Sequence, residues 1–260
     1  MLETNNAAPQ TDTTVYLKDY QPSAFLIPTV ELEVELNGDI ATVTSRLKVV
    51  RQTKSEQAIT LDGEKLELKS IKLNGQPLDT EHYEQTDDQL IVKTQEDEFE
   101  LEVVTELEPK LNTELSGLYQ SSGNYCTQCE AEGFRRITYF LDRPDVLSVY
   151  SVTIFADKTS CPVLLSNGNL VDTGRDYDGR HWAKWHDPHP KPSYLFALVA
   201  GDLEHVHDVY TTTSGDEVQL NIYTQSHNIE LCEHAMQSLK NAMHWDEQTY
   251  AREYLSLIHI

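Results

Sequence analysis

Basic residues are scarce: 20 Lys and Arg stand against 43 Asp and Glu in 260 residues, a formal net charge of −23. Such a chain repels phosphate backbones at long range, which argues against a nucleic-acid-binding face. Long apolar runs are missing too. None approaches the ~18 residues that a membrane span needs, and Met1 to Gln10 is polar, with no basic segment leading into an apolar one. Neither a signal peptide nor a membrane anchor is legible. Cysteine occurs at four positions only. Cys126 and Cys129 form one Cys-x-x-Cys, half of a zinc ribbon without its second half, while Cys161 and Cys232 stand alone. The pair is flanked by Ser/Gly on one side and Glu/Gly on the other, unlike a thioredoxin-like redox motif. Four reduced thiols in a cytoplasmic protein are therefore expected.

Several catalytic signatures are absent as well. There is no Gly-x-Ser-x-Gly elbow and no Gly-x-x-x-x-Gly-Lys phosphate loop. None of the ten histidines is followed by Glu, so the His-Glu-x-x-His helix of zinc hydrolases is missing. His181, His186 and His189 are interrupted by Trp182, Trp185 and two prolines, and His205-Val-His207 places two rings on one side of a strand. By ligand count neither group makes a metal site, and no metal is expected within this chain.

What is present is period-two alternation. Val30, Leu32, Val34 and Leu36 alternate with Glu31, Glu33 and Glu35, the pattern of a half-buried strand. Asn37-Gly38 predicts a tight hairpin with positive φ angles, and Ala41, Val43, Ser45, Leu47 and Val49 alternate on the return. Asp62-Gly63 predicts a second hairpin between Ile59/Leu61 and Leu66/Leu68, and Asn74-Gly75 a further turn. More strands are expected at 90–92, 99–103, 151–156 and 163–166. Many short strands joined by tight turns indicate a mainly β fold, an antiparallel sandwich or saddle. Between Asp79 and Glu108 stand twelve acidic residues and one basic residue, Lys93. They read as a solvated outer strand face rather than a cation-binding or basic-partner surface. Gly201-Asp202 closes the apolar run 194–200 and marks a candidate domain boundary. A hairpin (209–213 and 218–224) and a helix follow. Asn228 is the expected cap, with Cys232, Ala235, Met236, Leu239, Ala242 and Met243 on one face.

The region 115–145 alternates less and carries more polar chemistry. Gln128, Glu130 and Glu132 lie in a Gly/Ser-flanked segment that a β-scaffold can push into a cleft, where a carboxylate can grip an ammonium group. Leu118-Tyr-Gln, then Cys126-Thr-Gln-Cys-Glu-Ala-Glu-Gly-Phe-Arg135, then Tyr139-Phe-Leu-Asp-Arg-Pro-Asp145 resemble the aminopeptidase N family of zinc gluzincin aminopeptidases, in its bacterial alanyl form. Leu165-Ser-Asn-Gly-Asn169, Gly179-Arg-His-Trp182, Tyr194 to Asp202, Ser238-Leu-Lys-Asn241 and Trp245-Asp-Glu247 extend the resemblance in the same order.

The resemblance implies an all-β N-terminal domain (15–202) after a disordered lead (1–14). It implies that 203–254, a β-hairpin and first helix, opens a thermolysin-like catalytic domain that is incomplete here. By the same resemblance Gln128 lines the pocket for the first substrate side chain, and Glu130 binds the free α-ammonium of a peptide. The full-length enzyme would carry zinc and release N-terminal residues from peptides. The family's zinc ligands, general base and transition-state tyrosine fall beyond this chain, so the expectation is an inactive fragment that binds no zinc and lacks its C-terminal catalytic domains as partners. Residues Leu255-Ser-Leu-Ile-His-Ile260 do not continue the family pattern and match a translated sequencing adaptor, so native sequence is expected to end near Tyr254. The alternative, from another class, is a stand-alone β-sandwich that binds a peptide or protein.

Overall fold

The computed structural model describes residues 16–254; the expected disordered lead (1–14) and adaptor-derived tail (255–260) lie outside the described residues. The strands follow in chain order as β1 (Phe25–Asn37), β2 (Ile40–Arg51), β3 (Ala58–Asp62), β4 (Glu67–Leu73), β5 (Gln76–Pro77), β6 (Tyr83–Gln85), β7 (Gln89–Lys93) and β8 (Glu98–Leu107). After these come β9 (Gly117–Ser121), β10 (Asn124–Gln128), β11 (Leu147–Asp157), β12 (Val163–Ser166), β13 (Asn169–Arg175), β14 (Arg180–Pro192) and β15 (Leu198–Gly201). The hairpin β16 (Glu204–Thr211) and β17 (Glu217–Thr224) leads to helix α1 (Cys232–Tyr250). Among the described residues no helix is long and apolar enough to cross a membrane.

The largest sheet has eight strands in the order β13-β14-β11-β1-β2-β8-β4-β5. Its alternation sends Val30, Leu32, Val34, Leu36, Val43 and Leu47 inward, all 3% exposed or less. A four-stranded sheet (β12-β15-β10-β9) and a three-stranded sheet (β3-β7-β6) share one buried cluster with that inner face. Each fully buried Val or Leu contributes ~1.5–3 kcal/mol, so this common core holds the layers together. Polar groups that enter it are paired at Thr138 and Thr105, whereas the buried Tyr150 hydroxyl has no hydrogen-bond partner among the described residues. Thr138 Oγ1 donates to Ser45 Oγ at 2.9 Å, and Thr105 Oγ1 donates to the Ile137 carbonyl at 3.2 Å. These two bonds fasten the segment after residue 136 to the middle of the large sheet.

Of the acidic run, Glu98, Glu100, Glu102 and Glu106 lie on the outer face of β8 in that sheet, whereas Asp79, Glu81, Glu84, Asp87 and Asp88 lie in loops or on β6 of the three-stranded sheet. Glu102 takes Lys72 Nζ and Arg46 Nε at 2.7 Å each, Arg46 also reaches Glu33 at 2.9 Å, and Lys69 joins Glu67 and Glu106. Cross-strand pairing offsets the acidic charge locally at Glu102 and Glu106.

Several local expectations change. The sheet is not wholly antiparallel, because β1 and β11 run parallel in the register Val30 to Tyr150 through Leu36 to Ala156. At the first hairpin only Gly38 has positive φ (+67°), and Asn37 is the last strand residue, paired with Ile40. The turn residues are therefore Gly38-Asp39, with Gly in the first central position, as a type II′ turn requires. Asp62-Gly63 makes no hairpin: β3 pairs with β7 and β4 with β8, so the chain crosses there between sheets. Asn74-Gly75 does turn with positive φ at both residues, joining β4 to β5.

The last hairpin begins earlier than expected, at Glu204, because its polar outer residues conceal the register. Asn228 does not cap the helix. It lies in a 3₁₀ turn, Ser226–Leu231, and Leu231 occupies the N-cap without a side-chain bond. Leu220, Met236 and Met243 form a separate small core with Val206, Val218 and Leu239 against it, whereas Ala235 and Ala242 are exposed. The buried seam on α1 is thus narrower than the small apolar residues suggested.

Candidate functional site

The segment carrying Gln128 and Glu130 is built outward from the hairpin β9–β10. Ser122 and Gly123 both have positive φ (51° and 84°), which matches the right-handed twist of the strands they connect. The chain leaves β10 at Gln128 and buries Cys129 at 2% exposure. It returns through Gly133, whose N–H donates to the Cys129 carbonyl at 2.9 Å. A Cβ at Gly133 would stand 2.4 Å from the Gln128 carbonyl oxygen, so only glycine allows this close return. Phe134 then enters the core with no exposure, edge-on to Phe140 (5.0 Å between centroids), Phe196 (5.2 Å) and Tyr150 (6.0 Å). Aromatic packing of this kind adds ~0.5–1.5 kcal/mol per pair beyond area burial. The loop tip is therefore held at both feet, Cys129 and Phe134.

Gln128 and Glu130 are both exposed at that tip, and among the described residues neither side chain pairs with another. Glu132 differs, since Arg135 Nη2 stands 3.5 Å from its carboxylate. The Glu130–Ala131 peptide is cis. The segment offers one uncommitted carboxylate with an amide neighbour on a rigid base, suited to a small cation with several N–H donors.

Two adjacent arginines that the sequence reading passed over secure the far side of the loop. Arg135 donates through its backbone N (3.2 Å) and Nε (3.1 Å) to Asp142 Oδ2 and through Nη2 to the Asp142 carbonyl (3.3 Å). The Asp142 side chain is 1% exposed, and its Oδ1 accepts from Ser193 Oγ at 2.5 Å. Arg136 bonds Glu64 at 3.0 Å and also pairs with Glu114. Asp62 lies 3.8 Å from Arg135; burial pushes its carboxyl above the ordinary range and the guanidinium opposes that shift. The signal was legible in principle, because Arg135 is followed seven residues later by an aspartate in an apolar run. Lys191 is a second feature the sequence did not announce. It is fully buried, 2.7 Å from Asp187 and 4.4 Å from the Tyr150 ring centroid. Burial lowers its ammonium from the usual range and Asp187 counters.

The remaining candidates do not converge. All four cysteines are free thiols. Burial raises Cys126, and burial together with the Asp142 charge raises Cys129 far above the usual thiol range, which removes nucleophilic character. His181 Nε2 bonds the Cys161 carbonyl, His186 Nδ1 bonds Ser151 Oγ, and His207 Nε2 bonds Gln219. Among the described residues no group of three His, Cys, Asp or Glu side chains is arranged to hold a metal ion. The donors among the described residues do not fit a zinc centre.

Residues 19–195 match the Peptidase M1 N-terminal domain. The chain is 48% identical over 242 residues to aminopeptidase N of Haemophilus influenzae and 44% identical over 239 residues to aminopeptidase N of Escherichia coli. Each alignment covers 92% of this chain, but only 28% and 27% of those relatives. The chain thus spans little more than a quarter of their length. A crystal structure of Legionella pneumophila aminopeptidase A in complex with aspartic acid superposes with a TM-score of 0.88 at 38% identity, covering 92% of this chain and 29% of that one. An M1 zinc metallopeptidase from Deinococcus radiodurans shares the fold, with a TM-score of 0.66 at 16% identity over 78% of this chain and 48% of its own.

Proposed function

The chain belongs to the Peptidase M1 N-terminal domain family, and from that premise we propose that it forms the substrate-anchoring wall of a cytoplasmic, zinc-dependent aminopeptidase. In this reading residues 15–202 are the N-terminal domain and 203–254 begin the catalytic one. The zinc and its ligands belong to a part of the protein beyond the aligned segment. Glu130 receives the free α-ammonium of a peptide, and Gln128 lines the pocket for its first side chain. The carrying observation is that Glu130 is the uncommitted carboxylate of a tip anchored at Cys129 and Phe134, while its neighbour Glu132 is engaged by Arg135.

The physical consequence is exopeptidase specificity. An anion placed where the amino terminus must sit has no partner in an internal peptide bond, so internal cleavage leaves a desolvated charge unpaired. Binding of the ammonium also fixes the register of the first peptide bond relative to the reacting groups.

The test is a hybrid in which residues 1–254 are continued by the portion of the Escherichia coli relative beyond its aligned segment, assayed on an alanyl chromogenic amide. The hybrid turns over, and Glu130→Gln lowers kcat/KM by roughly 30-fold or more, as loss of one partner of a desolvated charge pair does. An active hybrid indifferent to Glu130→Gln removes Glu130 from the site.

A further inference from the structure

A cation close to Glu130 is a liability for the function proposed above, because it would occupy the carboxylate intended for substrate. Arg135 is the nearest cation along the same loop in sequence. It closes the same loop, and its guanidinium already reaches Glu132, two residues beyond Glu130. What restrains it is Asp142, which takes both the Nε and the backbone N–H of Arg135 on one oxygen and Nη2 on its carbonyl. The other carboxylate oxygen is tied to Ser193, itself 1% exposed and immediately after β14. Asp142 therefore fixes the guanidinium to the core on a side chain that cannot swing, since both of its oxygens are committed in a buried setting.

Resting on the assignment of Glu130 as the ammonium anchor, we propose that Asp142 is a positioning residue that sequesters the Arg135 guanidinium and so keeps the Glu130 carboxylate free for substrate. Without the Asp142 charge, Arg135 retains only carboxylates nearer solvent: Asp62, 27% exposed at 3.8 Å, and Glu132, 67% exposed at 3.5 Å. A guanidinium released from a buried partner seeks other carboxylates, and Glu130, two residues before the Glu132 it already meets, is the unpaired one on its own loop. Arg135 would then compete with the peptide ammonium, an effect on binding rather than on the chemical step. The pairing also explains why a buried carboxylate lies beneath a loop whose fold is already secured by Phe134 and Gly133.

The experiment uses the hybrid enzyme and the alanyl amide. Asp142→Asn raises KM by about tenfold with kcat changed less than about twofold, the pattern of lost uniform binding. Adding Arg135→Gln to Asp142→Asn returns KM to within about threefold of the parent, because the competitor is gone. In a Glu130→Gln background, Asp142→Asn has no further effect on KM. A purely structural role predicts the opposite, since removing a second partner from a damaged loop makes the defect worse. If Asp142→Asn fails to fold, Ser193→Ala loosens the same carboxylate, and the same suppression by Arg135→Gln is required. A KM defect that Arg135→Gln does not relieve, or an Asp142→Asn enzyme with unchanged KM, overturns this proposal while leaving Glu130 in place. An active hybrid indifferent to Glu130→Gln overturns the anchor assignment itself.

Discussion

Gly63 lies flush beneath the ring of Tyr139: a Cβ at position 63 would stand 2.2 Å from Tyr139 Cδ1 and 2.3 Å from Cε1. Tyr139 is 2% exposed and its hydroxyl is held by Gln85 Nε2 at 3.0 Å, so the ring has nowhere to retreat. The contact pins the crossing between β3 and β4 to the segment that follows the Arg135 turn, where Asp62 and Phe140 exchange backbone bonds of 2.8 and 3.0 Å.

Gly63→Ala is therefore expected to destabilise the chain by ~1–3 kcal/mol through overpacking, although Gly63 does not have a positive φ. Gly38 is the converse. Its φ is +67° with nothing within 4 Å of an added Cβ, so Gly38→Ala should cost about 1 kcal/mol from backbone strain alone. Urea midpoints of the two variants check this, and a Gly63→Ala chain as stable as the parent would contradict it.

Acid should weaken the fold through Glu102. Hydrogen bonding to Lys72, reinforced by Arg46, holds its carboxyl below the ordinary value of 4.5. Its stabilisation is complete above that value. As pH falls, the unfolded chain takes up the proton first, and the contribution disappears as pH passes through the folded pKa. Glu102→Gln should flatten the decline of the urea midpoint below about pH 4.5. An unchanged acid limb would exclude Glu102 as a source of it.

Thiol reactivity follows burial. Cys129, Cys161 and Cys232 are each 6% exposed or less, and Cys126 is half-buried. In the folded chain at pH 8, Ellman's reagent should titrate Cys126 slowly and first, with the other three appearing only in denaturant. Rapid release from Cys129 would be inconsistent with its packing.

Hydrogen exchange should separate two regions. Amides of β1, β2 and β11 sit over the large core, whereas α1 rests on the small cluster of Leu220, Met236 and Met243. Local opening is easiest where few apolar contacts hold an element, so α1 amides should exchange well before those of β1. Equal protection in both would refute this ranking.

Alternation made β1 and β2 legible because one face of each is buried and the other is not, and the acidic run reaches an outer strand face only along β8. Partners were not legible. The same Asn-Gly or Asp-Gly dipeptide serves a hairpin at Asn74-Gly75 and a crossing between sheets at Asp62-Gly63, since local turn chemistry does not specify which strand lies alongside. At the candidate site, Gln128 and Glu130 stood out as polar residues of a Gly/Ser-flanked segment, and their proposed roles come from the resemblance. The supports, Asp142 and Ser193, escaped notice because their partners stand 7 and 51 residues away and only the fold brings them together.

The parallel pairing of β1 with β11 also sets a condition on synthesis. The edge of β1 that pairs with residues 149–156 is first completed when the chain has grown that far, and β14 must then cover β11 in turn. Until then the Val30–Leu36 row presents open hydrogen-bonding groups beside apolar side chains, the template on which nascent chains stick to one another. Ribosome stalling or proteolytic nicking upstream of about residue 157 should therefore yield insoluble product, and a holdase chaperone would be needed during that interval of elongation.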